Sequence, residues 1–470
     1  MDGETGQDPL GKGPLEPRSQ VATPAANATI PDSAPHRADS AGGGAGAAAI
    51  DPPLDLKRRL YFLSGFDPRG ASFYGRLFSQ EVERRNATGP TGDRQVIQRI
   101  RPRPERDRLL SRWRIGPPRA AQAGPSTGKP DLAGEPPGLG QNHRDQGPCQ
   151  PEPIGHEITF LHWDDIARSH WPRRSLAMVG EIAEVYRWYL LQGGLLRIGR
   201  LCPGVALCGA YPGIFTALAV LMAFLGGAAL GGLTYAAIPP ASLALGTAGL
   251  VAAVLVALGT TWLLLLAAWA LADRLGVVWL WRSIRFTHRL GQARDGDLRA
   301  RVGELAQRIL ALETEAPAES VLLVGHSSGS FVMAMLAAEL RRQDPAAALT
   351  GRLSLLSLGQ NLANLAVYPG AQAFHADLQE LAQGPRLPWL DVTSRDDLLC
   401  FAGVDPYRSC GLPAPAGTPY PALKLVTLAE PKGWLDRLGL AFRQFDLHFE
   451  YLRQGPDSQG FDPLSQLLKP

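Results

Sequence analysis

The chain has 470 residues, with 52 Gly, 40 Pro and a formal net charge of +3, enough for one large domain with appendages. So small a charge gives no argument for a nucleic-acid partner. The five cysteines are few, odd in number and unclustered, which argues against a disulfide framework or a zinc site and suits a reducing compartment.

Residues 1–55 read as an Ala/Gly/Pro-rich arm. Its first 50 residues contain no Phe, Trp or Tyr and lack the apolar core of a signal peptide. Such a composition buries too little apolar surface to offset chain entropy, so the arm is expected to be disordered. The first part of a folded domain is expected over 56–200. Leu60 to Leu63 reads as a buried strand, followed by a loop through Gly65-Phe66 and a helix from Ala71 to Arg84. Residues 94–114 carry eight arginines with Trp113 as their one interleaved aromatic. A solvated face is favoured over nucleic-acid binding, with attraction to anionic lipid headgroups as the second choice. Residues 116–155 are dense in Gly and Pro and are expected to be a loop or disordered insertion. His156 to Trp163 reads as a strand, and a helical stretch from Ser175 to Leu196 follows.

Residues 201–272 contain no Asp, Glu, Lys or Arg. A bilayer core takes about 20 apolar residues per helical span, so this stretch predicts a transmembrane helical hairpin. Its spans fall near 205–230 and 244–271, broken at Ile238-Pro239-Pro240-Ala241-Ser242. Arg187, Arg197 and Arg200 precede it, and Arg274, Arg282, Arg285 and Arg289 follow. Both ends are therefore expected in the cytoplasm, as an integral protein of the inner or cytoplasmic membrane. The parts on either side then share one compartment and can form one domain.

The second part of that domain is expected over 273–455, with a tail at 456–470. Leu298, Val302, Leu305, Ile309 and Leu312 recur at three- and four-residue spacing, one stripe of an amphipathic helix. Further strands are predicted at Arg352–Leu358, Pro388–Val392 and Leu423–Leu428. Strands alternating with helices predict an α/β fold with a mostly parallel sheet flanked by helices.

Gly325-His326-Ser327-Ser328-Gly329 lies between the apolar run Val321–Val324 and an apolar helix-like run from Phe331 to Leu340. Gly-x-Ser-x-Gly in strand–turn–helix context resembles the nucleophile elbow of α/β-hydrolases, where small residues let strand and helix approach and the serine hydroxyl stands above the sheet. His326 is assigned no chemistry. A serine needs a base, and the base needs an orienting carboxylate. The α/β-hydrolase order is serine, acid, histidine. His375 comes before the strand that should carry the acid, so His448 is the favoured base. Asp391 falls inside a strand. Asp396 and Asp397 lie on the loop after it, with Asp397 favoured because an apolar run follows it, and Asp405 is an outsider.

The chain thus resembles the α/β-hydrolase superfamily over roughly residues 57–85, 156–200 and 274–455, on Gly325–Gly329, Asp396/Asp397 and His448 in that order. It is also similar to uncharacterised bacterial membrane-associated hydrolase-like proteins. That likeness rests on Leu63-Ser64-Gly65-Phe66-Asp67-Pro68-Arg69-Gly70, on Trp163-Asp164-Asp165-Ile166 and on His448-Phe449-Glu450-Tyr451-Leu452. The superfamily resemblance implies an oxyanion hole from the backbone N–H of Ser328 and, unless that loop is an ordinary turn, of Phe66. It implies a serine esterase or lipase-like hydrolase acting on an acyl-ester or lipid-like small molecule beside membrane lipids, with no cofactor or metal. An acyltransferase would use the same triad. A non-catalytic membrane scaffold or lipid-binding protein is the alternative from another class. The charge-free hairpin ahead of the elbow departs from the superfamily's usual plan.

Overall fold

A computed structural model describes residues 56–88, 95–100, 107–116, 155–171, 176–238, 243–294, 296–413, 420–430, 433, 435–436, 439–440 and 443–453. The arm at 1–55, nearly all of the 116–155 insertion and the tail at 456–470 lie outside these described residues.

The strands are β1 (Leu56–Leu63), β2 (Val96–Ile100), β3 (Leu110–Gly116), β4 (Gly155–Leu161), β5 (Ser320–His326), β6 (Leu353–Leu358), β7 (Trp389–Thr393) and β8 (Ala422–Leu425). They form one mixed sheet in the order β2-β3-β4-β1-β5-β6-β7-β8. Pairing is antiparallel between β2 and β3 and between β3 and β4. It is parallel for β4–β1, β1–β5, β5–β6, β6–β7 and β7–β8.

The helices up to the second apolar span are α1 (Gly70–Thr88), α2 (Asp164–Ser169), α3 (Leu176–Leu191), α4 (Gly194–Leu201), α5 (Pro203–Ala237) and α6 (Leu243–Arg274). After it come α7 (Val277–Gly291), α8 (Gly296–Glu315), α9 (Gly329–Gln343), α10 (Leu362–Ala366), α11 (Gln372–Ala382), α12 (Pro406–Ser409) and α13 (Gln444–His448).

Strand side chains alternate between faces, and the sheet is buried on both. Leu60 and Phe62 of β1 join Leu322 and Val324 of β5 in a core with Tyr74 and Phe78 of α1. Tyr61, Leu63, Val321 and Leu323 join the opposite core with α8 and α9. Double burial explains why the central strands read as unbroken apolar runs. The α8 stripe predicted from spacing is the buried face of that helix, with Leu298, Val302, Leu305, Ile309 and Leu312 all nearly inaccessible.

Three segments differ from the sequence reading. Part of the arginine-rich stretch is the β2–β3 hairpin, which extends the sheet beyond β4. Trp113 and Ile115 are buried there, and Arg112 grips Glu157 with two hydrogen bonds of 2.8 Å. The helical stretch before the apolar segment is broken at Gly193, whose φ is +72°. A Cβ on the next residue, Gly194, would sit 2.3 Å from the ring of Trp188, so the chain turns where glycine permits it. Strand β8 ends at Leu425, short of Leu428.

Helices α5 and α6 are 35 and 32 residues long, and a helix rises 1.5 Å per residue. Both are long and apolar enough to cross a membrane, with mean hydropathy of 2.1 and 2.4. A soluble core helix would be covered, yet Met222, Phe224, Leu255 and Leu263 are each more than 60% exposed. The two helices pack through small residues. A Cβ on Gly231 would lie 2.8 Å from the Ala253 carbonyl, and Gly227 abuts Thr261 and Ala257, the close backbone approach that small residues allow.

Candidate active site

Ser327 occupies the turn from β5 to α9 with φ +56°, a left-handed conformation that costs a non-glycine residue roughly 1–2 kcal/mol. The turn is locked around it. Its amide donates to the Leu358 carbonyl at 2.9 Å, and its carbonyl accepts from the Ser330 amide at 3.0 Å and the Ser330 hydroxyl at 2.6 Å. The flanking glycines are sterically required. A Cβ on Gly325 would lie 2.6 Å from the Gly329 carbonyl oxygen, and one on Gly329 would lie 2.4 Å from that of Ser64. Gly65 brings the loop after β1 onto the serine, since a Cβ there would stand 2.9 Å from Ser327 Cβ.

His448 ends α13, and its Nδ1 lies 2.7 Å from Asp397 Oδ2 with both side chains almost fully buried. Asp397 sits in the loop after β7, and its Oδ1 accepts from the Leu399 amide at 2.9 Å. Three further bonds fasten that loop to the segment bearing His448. Gln444 Oε1 accepts from the Leu398 amide at 2.7 Å, Gln444 Nε2 donates to the Asp396 carbonyl at 3.3 Å, and the Tyr451 hydroxyl accepts from the Ser394 amide at 2.8 Å. Asp396 faces away and braces the loop, accepting from the Ser394 hydroxyl at 3.0 Å and from the Leu428 amide at 3.1 Å. Asp391 is buried within β7, where Ser357 Oγ donates to it at 2.5 Å. Asp405 caps α12 through the Tyr407 amide, and His375 bonds the Ala366 carbonyl.

Ser327 and His448 line one cavity of about 380 Å³, with Phe66, Asp67, Arg69 and Trp171 among its walls. Among the described residues, His448 Nε2 has no hydrogen-bond partner. The Ser327 hydroxyl is held instead by Asn361, whose Nδ2 donates to Oγ at 3.3 Å. Asn361 is positioned in turn by its own amide, which donates to Ser330 Oγ at 3.0 Å. The amides of Ser328 and Phe66 stand at the start of α9 and in the loop after β1. Among the described residues neither has a hydrogen-bond acceptor.

His326 supports His448 from below. Its Nε2 lies 2.9 Å from the His448 carbonyl oxygen and its ring centroid 4.9 Å from that of His448. Burial first, and the neighbouring His448 second, push its pKa down from 6.5 to about 3. The ring is therefore neutral at ordinary pH and donates its Nε2 proton to that carbonyl. At the rim, Arg69 grips Asp67 through both carboxylate oxygens at 2.6–2.9 Å and lies 3.7 Å over the Phe73 ring.

The apolar hairpin contributes to the same region. Asp273 and Arg274, at the end of α6, line the large cavity. Val205, Cys208 and Gly209, from the start of α5, line a second cavity of about 40 Å³ that also reaches Ser327 and Asn361.

Sequence reasoning had named Ser327, Ser328, Phe66, His448 and the Asp396/Asp397 pair. It missed Asn361, Arg69, the bracing role of His326 and the hairpin's share. For Asn361 a signal exists, because a polar residue just beyond the carboxyl end of a parallel strand lies where ligands bind in open α/β sheets. Compared with known proteins, the chain matches no family model, no curated protein and no solved structure.

Proposed function

We propose that this chain is a serine hydrolase of the esterase or lipase type, with an α/β-hydrolase-like, mostly parallel sheet. In this reading the α5–α6 hairpin anchors it in the cytoplasmic membrane, with the catalytic domain on the cytoplasmic side. The observation that carries the reading is the pairing of a left-handed serine at a strand–helix turn with a histidine in the same cavity, whose far nitrogen is held by a buried carboxylate. Parallel pairing from β4 through β8 supports the sheet assignment, and the basic residues flanking the hairpin support the orientation.

In the proposed reaction, Ser327 Oγ turns from Asn361 toward His448 Nε2 and gives it the hydroxyl proton. The new Oγ–carbon bond forms as the carbonyl electron pair moves to oxygen, which accepts from the Ser328 and Phe66 amides at the positive end of α9. Asp397 stabilises the His448 imidazolium. His448 then protonates the departing alkoxide, leaving an acyl-Ser327 ester. Water, deprotonated by His448, adds to the acyl carbon; the bond from that carbon to Oγ breaks, His448 returns the proton to Ser327 Oγ, and the acid leaves. The substrate is an acyl ester or lipid-like small molecule. With an alcohol or thiol in place of water, the same residues would perform acyl transfer.

A second reading, a membrane scaffold that has kept the hydrolase frame, is favoured by one observation. Ser327 Oγ bonds Asn361 and not His448. Catalytic hydrogen bonds are often unmade without substrate, which leaves the enzymatic reading ahead. Hydrolysis of acyl esters by the detergent-solubilised full chain, lost in Ser327→Ala and in His448→Ala, supports the hydrolase. Folded protein inert toward every ester and thioester supports the scaffold.

A further inference from the structure

Resting on the serine-hydrolase reading, we propose that the small cavity beside Ser327 is the acyl site, and that it limits the substrate to short acyl groups. An ester places two arms around the carbonyl carbon that Ser327 attacks, and among the described residues Ser327 borders two cavities of very different size, about 380 Å³ and about 40 Å³. His448 decides which arm goes where. It must protonate the leaving oxygen, so the alcohol arm has to lie on its side of the serine. His448 lines the large cavity and is absent from the small one. The acyl arm is left with the small one.

The large cavity suits an alcohol of some size and polarity. Asp67, Arg69, Asp273, Arg274 and Arg453 stand in its wall among aromatic rings. The small cavity suits a short chain on two grounds. At about 40 Å³ it has roughly a tenth of the room of the large cavity. Its walls are also broken by polar groups. Val205, Leu280, Ile284 and Leu399 are interrupted by Ser283 and Asn364, whereas a long alkyl chain needs an unbroken apolar lining to avoid stripping water from polar atoms. The spacing of the wall residues follows from helix geometry. Positions 205, 208 and 209 of α5, and 280, 283 and 284 of α7, each lie on one helical face. The base of the apolar hairpin is thereby a wall of the acyl site as well as an anchor.

The test is kcat/KM of the full chain in detergent on p-nitrophenyl esters of 2, 4, 8 and 12 carbons, run beside fluorophosphonate labelling of Ser327. The expected result is a preference of at least about tenfold for the two- and four-carbon esters over the eight-carbon ester, as expected for methylenes that do not fit a small pocket. Ile284→Ala and Val205→Ala, on different helices, should each raise the ratio of eight- to two-carbon activity by about fivefold or more. Labelled protein whose kcat/KM is flat or rises toward twelve carbons would overturn the acyl-site proposal and leave the hydrolase reading standing. So would an unchanged ratio in both folded variants. Absence of labelling together with absence of ester hydrolysis sinks the hydrolase reading, and the acyl site falls with it.

Discussion

His448 Nδ1 and Asp397 Oδ2 are 2.7 Å apart, and the loop and helix that carry them are tied together by Gln444 and Tyr451. The carboxylate thus holds the ring by Nδ1, and Nε2 has no hydrogen-bond partner among the described residues. Asp397→Asn removes the carboxylate while keeping the size of the side chain. The expected loss in kcat is about 10⁴-fold, with folding retained. Asp396→Ala should behave differently. It deprives the Ser394 hydroxyl and the Leu428 amide of an acceptor and should cost about 1–3 kcal/mol of stability, with far less effect on kcat. Steady-state kinetics and urea midpoints on the two variants separate these roles.

The elbow glycines should be intolerant of a methyl group where other glycines are not. Gly329→Ala forces a Cβ to within 2.4 Å of a backbone oxygen, an overpacking expected to cost about 1–3 kcal/mol or more. Gly303, within α8, has open space at its Cβ position, and Gly303→Ala should stabilise by about 0.5–1 kcal/mol. Thermal melts of both variants check the contrast.

Two buried groups should push stability in opposite directions as pH rises. His326 has its folded pKa lowered to about 3. The unfolded chain takes up that proton below about pH 6.5 while the folded one refuses it. Its contribution is therefore full above pH 6.5 and is lost as pH falls toward 3. Each pKa unit corresponds to about 1.4 kcal/mol, so the loss is on the order of several kcal/mol. Asp391 runs the other way, because burial raises its pKa from 3.8 to about 8. The folded state keeps a proton that the unfolded state releases, so stability falls as pH rises from about 4 to about 8. Between about pH 4 and 6.5 the two effects offset each other, so Asp391→Asn should remove the fall toward pH 8 and uncover the rise due to His326. Urea midpoints across pH 4–9, for wild type and Asp391→Asn, read both slopes.

The hairpin should behave as an anchor. With more than half of Met222, Phe224, Leu255 and Leu263 exposed, the isolated protein would present a large apolar surface to water. The full chain is expected to remain in the membrane pellet after an alkaline carbonate wash and to be released by detergent. Recovery in the carbonate supernatant as soluble, folded protein would contradict a spanning hairpin.

How much was legible in the sequence varies with the range of the interactions involved. The α8 stripe and the apolar runs of β1 and β5 were plain because each follows from a local period. The Ser327 turn was plain because its glycines are needed within a few residues of each other. Strands β2 and β3 were not read as strands, since arginine has no strong strand preference and the apolar members Trp113 and Ile115 stand among charges. The preference for Asp397 over Asp396 rested on one signal, the apolar run that follows it, because adjacent residues share most of the rest; in the fold Asp397 meets His448 while Asp396 braces the loop. Asn361 and the α5 wall lie far from Ser327 along the chain and meet it only in the folded protein, so no spacing announced them.

The central claim is that Ser327 is an activated nucleophile. The direct measurement is covalent labelling of the detergent-solubilised full chain by a fluorophosphonate, with the modified peptide identified by mass spectrometry. A single phosphonylated residue, Ser327, is expected, formed at a rate that falls by orders of magnitude in His448→Ala and Asp397→Asn. Folded wild-type protein that takes up no label, or that labels equally fast without His448, would contradict that claim.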